Sequence, residues 1–216
     1  MAVHVSRGYR ERAVGISVAD PGSAPFAQSL ELFADAVSSS LVTASSEPHR
    51  RYAAAVLYAI EKHRIQTRRD GTPYIAHPIR VAESLRTIGG ITDEDVIIAG
   101  LLHDLLEDTE CDYDAIDSRF GRKVADLVAE MTADMRLPKP ERRHQQVLHI
   151  KSASRAAKTI KLADRYDNLT DMNGFSEKRR AEYIASSRDV LEACRGANAA
   201  LEGRLAAAIE ALERAP

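Results

Sequence analysis

From residue 46 onward, apolar residues recur at helical spacing almost without interruption. Ser46 can cap, and Pro48 can open, an Ala-rich helix running to about Ile65. Gly71 and Pro73 mark a loop from Arg68 to Tyr74, and a second helix is expected to begin near His77-Pro78 and to end at Gly89-Gly90. Asp93 then caps a mostly apolar helix from about Glu94 to Glu107. Shorter helical patterns follow over Tyr113 to Phe120, Arg122 to Ala133 and Pro140 to Lys151, and longer ones over Arg155 to Met172, Ser176 to Arg195 and Ala197 to Arg214. No segment sustains period-two alternation, so the pattern predicts an all-α, single compact domain.

The first 46 residues read differently. Gly8, Gly15, Pro21, Gly22, Pro25 and a serine-rich stretch from Ser38 to Ser46 surround one amphipathic segment, Phe26 to Val42. Within it Leu30, Phe33, Ala34, Val37 and Leu41 recur at helical spacing. The expectation is an arm over residues 1–46 with one helix, partly disordered, ahead of a domain over residues 47–216.

Composition narrows the class. The 216 residues are 44% hydrophobic and 29% charged, which excludes a collagen-like or disordered chain. Lys plus Arg number 30 against 32 Asp plus Glu, a net charge of −2 that argues against a general nucleic-acid binder. Any phosphate recognition must therefore come from a local cluster of basic side chains. Apolar runs such as Ala53 to Ile60 fall far below the ~18 residues needed to cross a bilayer, so no membrane partner is expected. Cys111 and Cys194 are too few for a disulfide framework and no signal segment opens the chain, which together predict a reducing, cytoplasmic setting.

The stretch from Gly100 to Thr109, GLLHDLLEDT, concentrates chemistry. On a continuous helix His103 and Glu107 are one turn apart, as are Asp104 and Asp108, while Leu101, Leu102, Leu105 and Leu106 cover much of the remaining surface. Buried unpaired charge is expensive, so a bound cation is the simplest way to stabilise such a stripe. The exposed, acidic end of a surface helix would account for the same residues. Two further places shift the balance: His77, at a helix start behind a tight turn, and Asp164 with Asn168 one turn on. His77, His103, Asp104 and Asp164 would supply two imidazoles and two carboxylates without a thiolate. That set suits a catalytic divalent ion such as manganese, with iron or magnesium as alternatives, better than a structural zinc.

Taken in order, His77, His103-Asp104 and Asp164 resemble the signature of the HD superfamily of metal-dependent phosphohydrolases. The wording Gln66-x-Arg68, Gly71-x-Pro73-Tyr74-Ile75-x-His77-Pro78, Leu101-Leu102-His103-Asp104-x-x-Glu107-Asp108-Thr109 and Lys161-Leu162-Ala163-Asp164-x-x-x-Asn168 resembles the RelA/SpoT hydrolase domain. Leu137 to Arg143 and the Ser176 to Tyr183 helix are most similar to the stand-alone small alarmone hydrolases of the metazoan type. The resemblance implies hydrolysis of guanosine tetra- and pentaphosphate, (p)ppGpp, to GDP or GTP and pyrophosphate. It implies manganese on His77, His103, Asp104 and Asp164, and a water-activating acidic pair in Glu107 and Asp108. Arg68 matches an arginine beside the metal, Arg69 stands in for a family lysine, and Asn168 matches a nucleotide-contacting asparagine. Lys139, Arg179 and Tyr183 align with residues that grip substrate phosphates.

The chain has no room for the synthetase and regulatory domains of longer relatives, so a hydrolase-only protein is expected. A second chemistry on a related purine nucleotide, removal of the 2′-phosphate from NADPH, fits the same resemblance. A nucleotide-binding regulator without turnover is a further alternative, against which stands the presence of both Glu107 and Asp108. The Tyr166-Asp167 pair departs from the commoner family wording. At about 100° from Asn168 around a helix, Asp167 is expected to face away from the pocket.

Overall fold

A computed structural model of the chain describes residues 32, 34, 35, 37–39, 47–134, 136–172 and 175–214, without the side chains of residues 48, 139, 140, 143 and 144. Its helices are α1 (Glu47–His63), α2 (Ala76–Thr87), α3 (Glu94–Leu102), α4 (Leu105–Asp108), α5 (Tyr113–Phe120), α6 (Arg122–Met131), α7 (Lys139–Ser152), α8 (Arg155–Thr170), α9 (Glu177–Ala193) and α10 (Ala199–Arg214). Residues 32, 34, 35 and 37–39 are helical too, and Val37 is buried against the core. The rest of the expected arm, and the Ser46 cap, lie outside the described residues. Among the described residues there is no strand, only an isolated bridge between Thr67 and Pro73. None of their helices is long and apolar enough to cross a membrane.

Local chemistry sets most of the helix starts. Asp93, Asp112, Ser154 and Ser176 each accept a hydrogen bond from a backbone N–H in the first turn of α3, α5, α8 and α9. Between α5 and α6 the chain turns at Gly121, whose φ of 90° is open to glycine at little steric cost.

α8 is the spine of the fold. It packs against α2, α3, α6, α7, α9 and α10, and Ala157 to Leu169 is buried on most sides. Its Ile160 and Leu162, with Leu85, Ile98, Leu101, Leu102 and Leu201 from neighbouring helices, are fully enclosed. Each such side chain contributes about 1.5–3 kcal/mol of burial free energy. Gly100 leaves room on α3 for Leu85 of α2, since a Cβ there would collide with Leu85 Cδ1.

The structure revises the helix expected over Glu94 to Glu107. It is two helices, α3 and α4, with His103 and Asp104 in the turn between them. His103 Nδ1 donates to the Gly100 carbonyl at 2.7 Å, while the Asp104 carbonyl accepts from Glu107 and Asp108 and starts the next turn. The four polar residues therefore do not form one continuous helical stripe. Several other ends are shorter than expected, two of them beside the site: α1 stops at His63, and α6 stops at Met131. The second leaves the Ala133 N–H free of the helix, where it donates to Glu107 Oε1 at 2.5 Å.

Candidate active site

His77 enters the site from the first turn of α2, behind a loop closed by backbone hydrogen bonds such as Tyr74 N–H to the Gln66 carbonyl. His103 and Asp104 come from the α3–α4 turn, and Asp164 from the middle of the buried α8. One donor atom each from His77, His103 and Asp164 lies within 4.8 Å of the others, and all three residues are buried. Asp104 is more open, but its Oδ2 sits 3.1 Å from His103 Nε2 and 3.5 Å from His77 Nε2. Asp164 Oδ1 is 3.4 Å from His77 Nε2 and 3.6 Å from His103 Nε2. Neighbouring ligands around an octahedral ion with bonds near 2.1 Å would be about 3 Å apart.

The hydrogen bonds around the two imidazoles make the chemistry of the cluster explicit. His103 spends its Nδ1 proton on the Gly100 carbonyl, and His77 Nδ1 lies 2.7 Å from Asp167 Oδ2. Both rings therefore turn Nε2 toward the carboxylates of Asp104 and Asp164, and His103 Nε2, although fully enclosed, has no hydrogen-bond partner among the described residues. Lone pairs facing carboxylates require a positive charge between them. Without a metal, a proton fills that role. Burial works against the imidazolium of His77, but hydrogen bonds that it donates to the carboxylates of Asp104, Asp164 and Asp167 outweigh it and push its pKa up to about 9. Burial works against the imidazolium of His103 too, but Asp104 and Asp164 raise it. Burial opposes ionisation of Asp104 and Asp164 as well, yet His103 beside Asp104 and Lys161 beside Asp164 hold both well below the usual carboxylate range. The donor set, two imidazole nitrogens and two carboxylate oxygens, fits a divalent ion.

A cleft opens over this cluster. Tyr74, Asp104, Glu107 and Asp164 line its floor, and α7, α8 and α9 supply Gln146, Val147, Lys161, Arg165, Asn168, Tyr183 and Ser186. Burial raises the Glu107 pKa, with Lys161 and the Ala133 N–H opposing the shift. Asp108 is exposed and does not line the cleft itself; its Oδ2 is 3.3 Å from the hydroxyl of Tyr74, which does.

The remaining expected residues divide into two groups. Asn168 and Tyr183 face the cleft, and Asn168 bridges Asp164 Oδ1 (2.6 Å) and the Arg68 guanidinium (3.0 Å). Arg69 and Arg179 lie outside that lining, their guanidinium groups 4.8 and 4.7 Å from the Phe175 ring centre. Lys139 begins α7, but its side chain is outside the described residues.

Sequence reasoning passed over several residues that the fold brings to the site. Lys161 is buried with Nζ 2.9 Å from Asp164 Oδ2, and Arg165 is buried with its guanidinium 4.6 Å from the Tyr183 ring centre. Charged residues flanking Asp164 on the same helix, Lys161 three residues before it and Arg165 directly after it, were the available signal. Asp167 faces away from the cleft as expected, but onto His77 rather than into solvent.

A model of the HD domain family matches residues 55–193. The guanosine-3′,5′-bis(diphosphate) 3′-pyrophosphohydrolase MESH1 of Danio rerio is 47% identical over 157 residues, covering 69% of this chain and 87% of that protein. The Homo sapiens protein of the same name is 45% identical over 155 residues, covering 68% and 87%. A solved structure of a metazoan orthologue of SpoT, described as hydrolysing ppGpp, superposes with a TM-score of 0.73 at 37% identity, covering 77% of this chain and 98% of that one.

Proposed function

The chain belongs to the HD-domain family, and on that premise we propose that it is a manganese-dependent guanosine-3′,5′-bis(diphosphate) 3′-pyrophosphohydrolase, with residues 47–216 as the catalytic unit. The observation that carries this reading is the convergence of His77, His103, Asp104 and Asp164 beneath a cleft that also holds Glu107 and Lys161.

His77 and His103 would hold the ion through Nε2, and Asp104 and Asp164 through a carboxylate oxygen. A divalent ion there supplies Lewis acidity toward a phosphoryl oxygen and lowers the pKa of bound water. Manganese is a weaker Lewis acid than zinc, so a carboxylate base matters more. Glu107 is that base: it lines the cleft, one oxygen is pinned by the Ala133 N–H, and burial makes it a better proton acceptor than an exposed glutamate. Asp108 positions the water from the rim. The new bond joins the water oxygen to the phosphorus on the ribose 3′ oxygen, and the bond from that phosphorus to the 3′ oxygen breaks. Glu107 takes the water proton, that proton is passed on to the departing 3′ oxygen, and pyrophosphate leaves. Lys161 and Arg165 offset the negative charge that develops in the cleft, with Arg68, Asn168 and Tyr183 holding the nucleotide. Arg69 and Arg179, gathered around Phe175, form the outer part of the same binding surface, and Lys139 is assigned to phosphate binding on the family resemblance alone.

Elemental analysis of the purified protein, followed by chromatography of the products from guanosine tetraphosphate, tests the assignment. Bound manganese with GDP and pyrophosphate as products is the expected result. A higher kcat/KM for NADPH at matched concentrations would instead make the 2′-phosphatase chemistry the principal one, and no turnover of either nucleotide would leave a binding protein.

A further inference from the structure

The two imidazoles at the centre are oriented by different devices. His103 Nδ1 is satisfied by a peptide carbonyl within its own turn, at 2.7 Å. His77 Nδ1 is satisfied by a carboxylate from another helix, Asp167 Oδ2, also at 2.7 Å. Asp167 is almost wholly buried, and Arg80 holds it from the other side through two hydrogen bonds, Nε to Oδ1 at 2.6 Å and Nη2 to Oδ2 at 2.9 Å. His77 and Arg80 are one turn apart on α2, as are Asp164 and Asp167 on α8. The two helices therefore meet in a polar seam with Asp167 at its middle.

The seam continues to the substrate side. Arg80 Nη2 also donates to Asp171 Oδ2 at 3.1 Å, and Asp171 accepts from Arg68 Nε at 3.2 Å. Arg68 reaches Asn168, and Asn168 reaches Asp164. Hydrogen bonds thus run from the Nδ1 face of His77 round to the carboxylate that faces its Nε2.

We propose that Asp167, clamped by Arg80, is the positioning residue of His77: it keeps the ring proton on Nδ1 and aims the Nε2 lone pair at the metal position. A buried carboxylate needs a compensating partner, and Arg80 supplies one without removing the acceptor that His77 uses. An ion pair that only joined α2 to α8 would have no need to share Oδ2 with an imidazole. Charge behind a ligating histidine also raises the basicity of its free nitrogen, which favours capture of a weakly Lewis-acidic ion.

This inference rests on the metal-centre reading above, and its test separates the two. Wild type, Asp167→Asn, Asp167→Ala and Arg80→Met are compared by thermal melting and by calorimetric titration of the metal-free protein with Mn2+. Asp167→Asn, nearly isosteric and still an acceptor, should fold and bind Mn2+ about 10-fold more weakly, and Asp167→Ala up to about 100-fold more weakly. Arg80→Met keeps the carboxylate and should lose less than Asp167→Ala. In the magnesium-loaded, 15N-labelled protein, wild type should show a hydrogen-bonded, downfield His77 Nδ1 proton that Asp167→Ala lacks. A folded Asp167→Asn with the wild-type Mn2+ constant overturns the inference alone. An Asp167→Asn protein that does not fold assigns the carboxylate to packing and overturns it too. Wild type that takes up no divalent ion overturns the metal-centre reading and this inference with it.

Discussion

The Tyr74 hydroxyl donates to Asp104 Oδ2 at 2.6 Å. Burial first, then the charge of Asp104, raises the Tyr74 pKa, so the phenol stays protonated and remains a donor. Its ring is braced by His63, with centroids 4.8 Å apart. Tyr74 thus fixes which lone pairs of Asp104 remain to face the two imidazoles. Tyr74→Phe keeps the ring contact and removes only that hydrogen bond. Mn2+ binding should weaken by about 10–100-fold with the melting temperature little changed. An unaltered titration curve would show that Asp104 holds its orientation without help.

Asp104→Ala and Asp164→Ala remove a carboxylate from the centre and leave two imidazoles facing a single negative charge. Both should lose co-purified metal and turnover together, as measured by elemental analysis and product chromatography. Metal retained at wild-type stoichiometry in Asp104→Ala would reject that residue as a ligand.

Glu107→Gln should retain the ion while kcat falls by about 10²–10⁴, the range expected for a lost general base. The pH profile carries a second check. A raised Glu107 pKa places protonation of the base at a higher pH than for an ordinary glutamate, so at saturating metal the wild-type rate should fall with decreasing pH through that raised value. Residual turnover in Glu107→Gln should lack this acid limb.

The same shift makes a prediction about folding. A carboxyl whose folded-state pKa is raised favours the folded state below its unfolded pKa, and this contribution is lost as pH rises through the folded value. Metal-free Glu107→Gln should therefore melt at a higher temperature than metal-free wild type at neutral pH, with the gap closing toward acid. A Glu107→Gln protein less stable than wild type at pH 7 would contradict the buried-base assignment.

Gly100→Val tests the approach of α2 to α3. The added side chain meets Leu85 Cδ1 at a distance no real Cβ tolerates, in a fully enclosed position. Overpacking of this kind costs about 1–3 kcal/mol, or roughly 2–4 °C of melting temperature per kcal/mol at this chain length. Because His103 lies just beyond α3 and His77 begins α2, Mn2+ affinity should fall with it. An unshifted melt would mean that the two helices do not depend on Gly100 for their spacing.

Helical periodicity and capping residues are local properties, and for that reason the all-α class, the helix order and the Asp93 cap could be read from the amino acids alone. The spaced words around His77, His103-Asp104 and Asp164 likewise carried the family resemblance, because identity and order survive in a linear string. Tertiary structure decided what those residues face. Helical spacing shows that Asp164 and Asp167 are one turn apart on α8, but not that His77 and Arg80, some 90 residues away, lie against Asp167. Nor does it show that the His103-Asp104 pair sits in a break between two helices, where the His103 ring takes the Gly100 carbonyl. Arg69 and Arg179 illustrate the same limit, because their meeting around Phe175 joins a loop to a distant helix. A one-dimensional pattern specifies which groups are available on each face; the packing of α2, α3 and α8 about the core determines which of them meet.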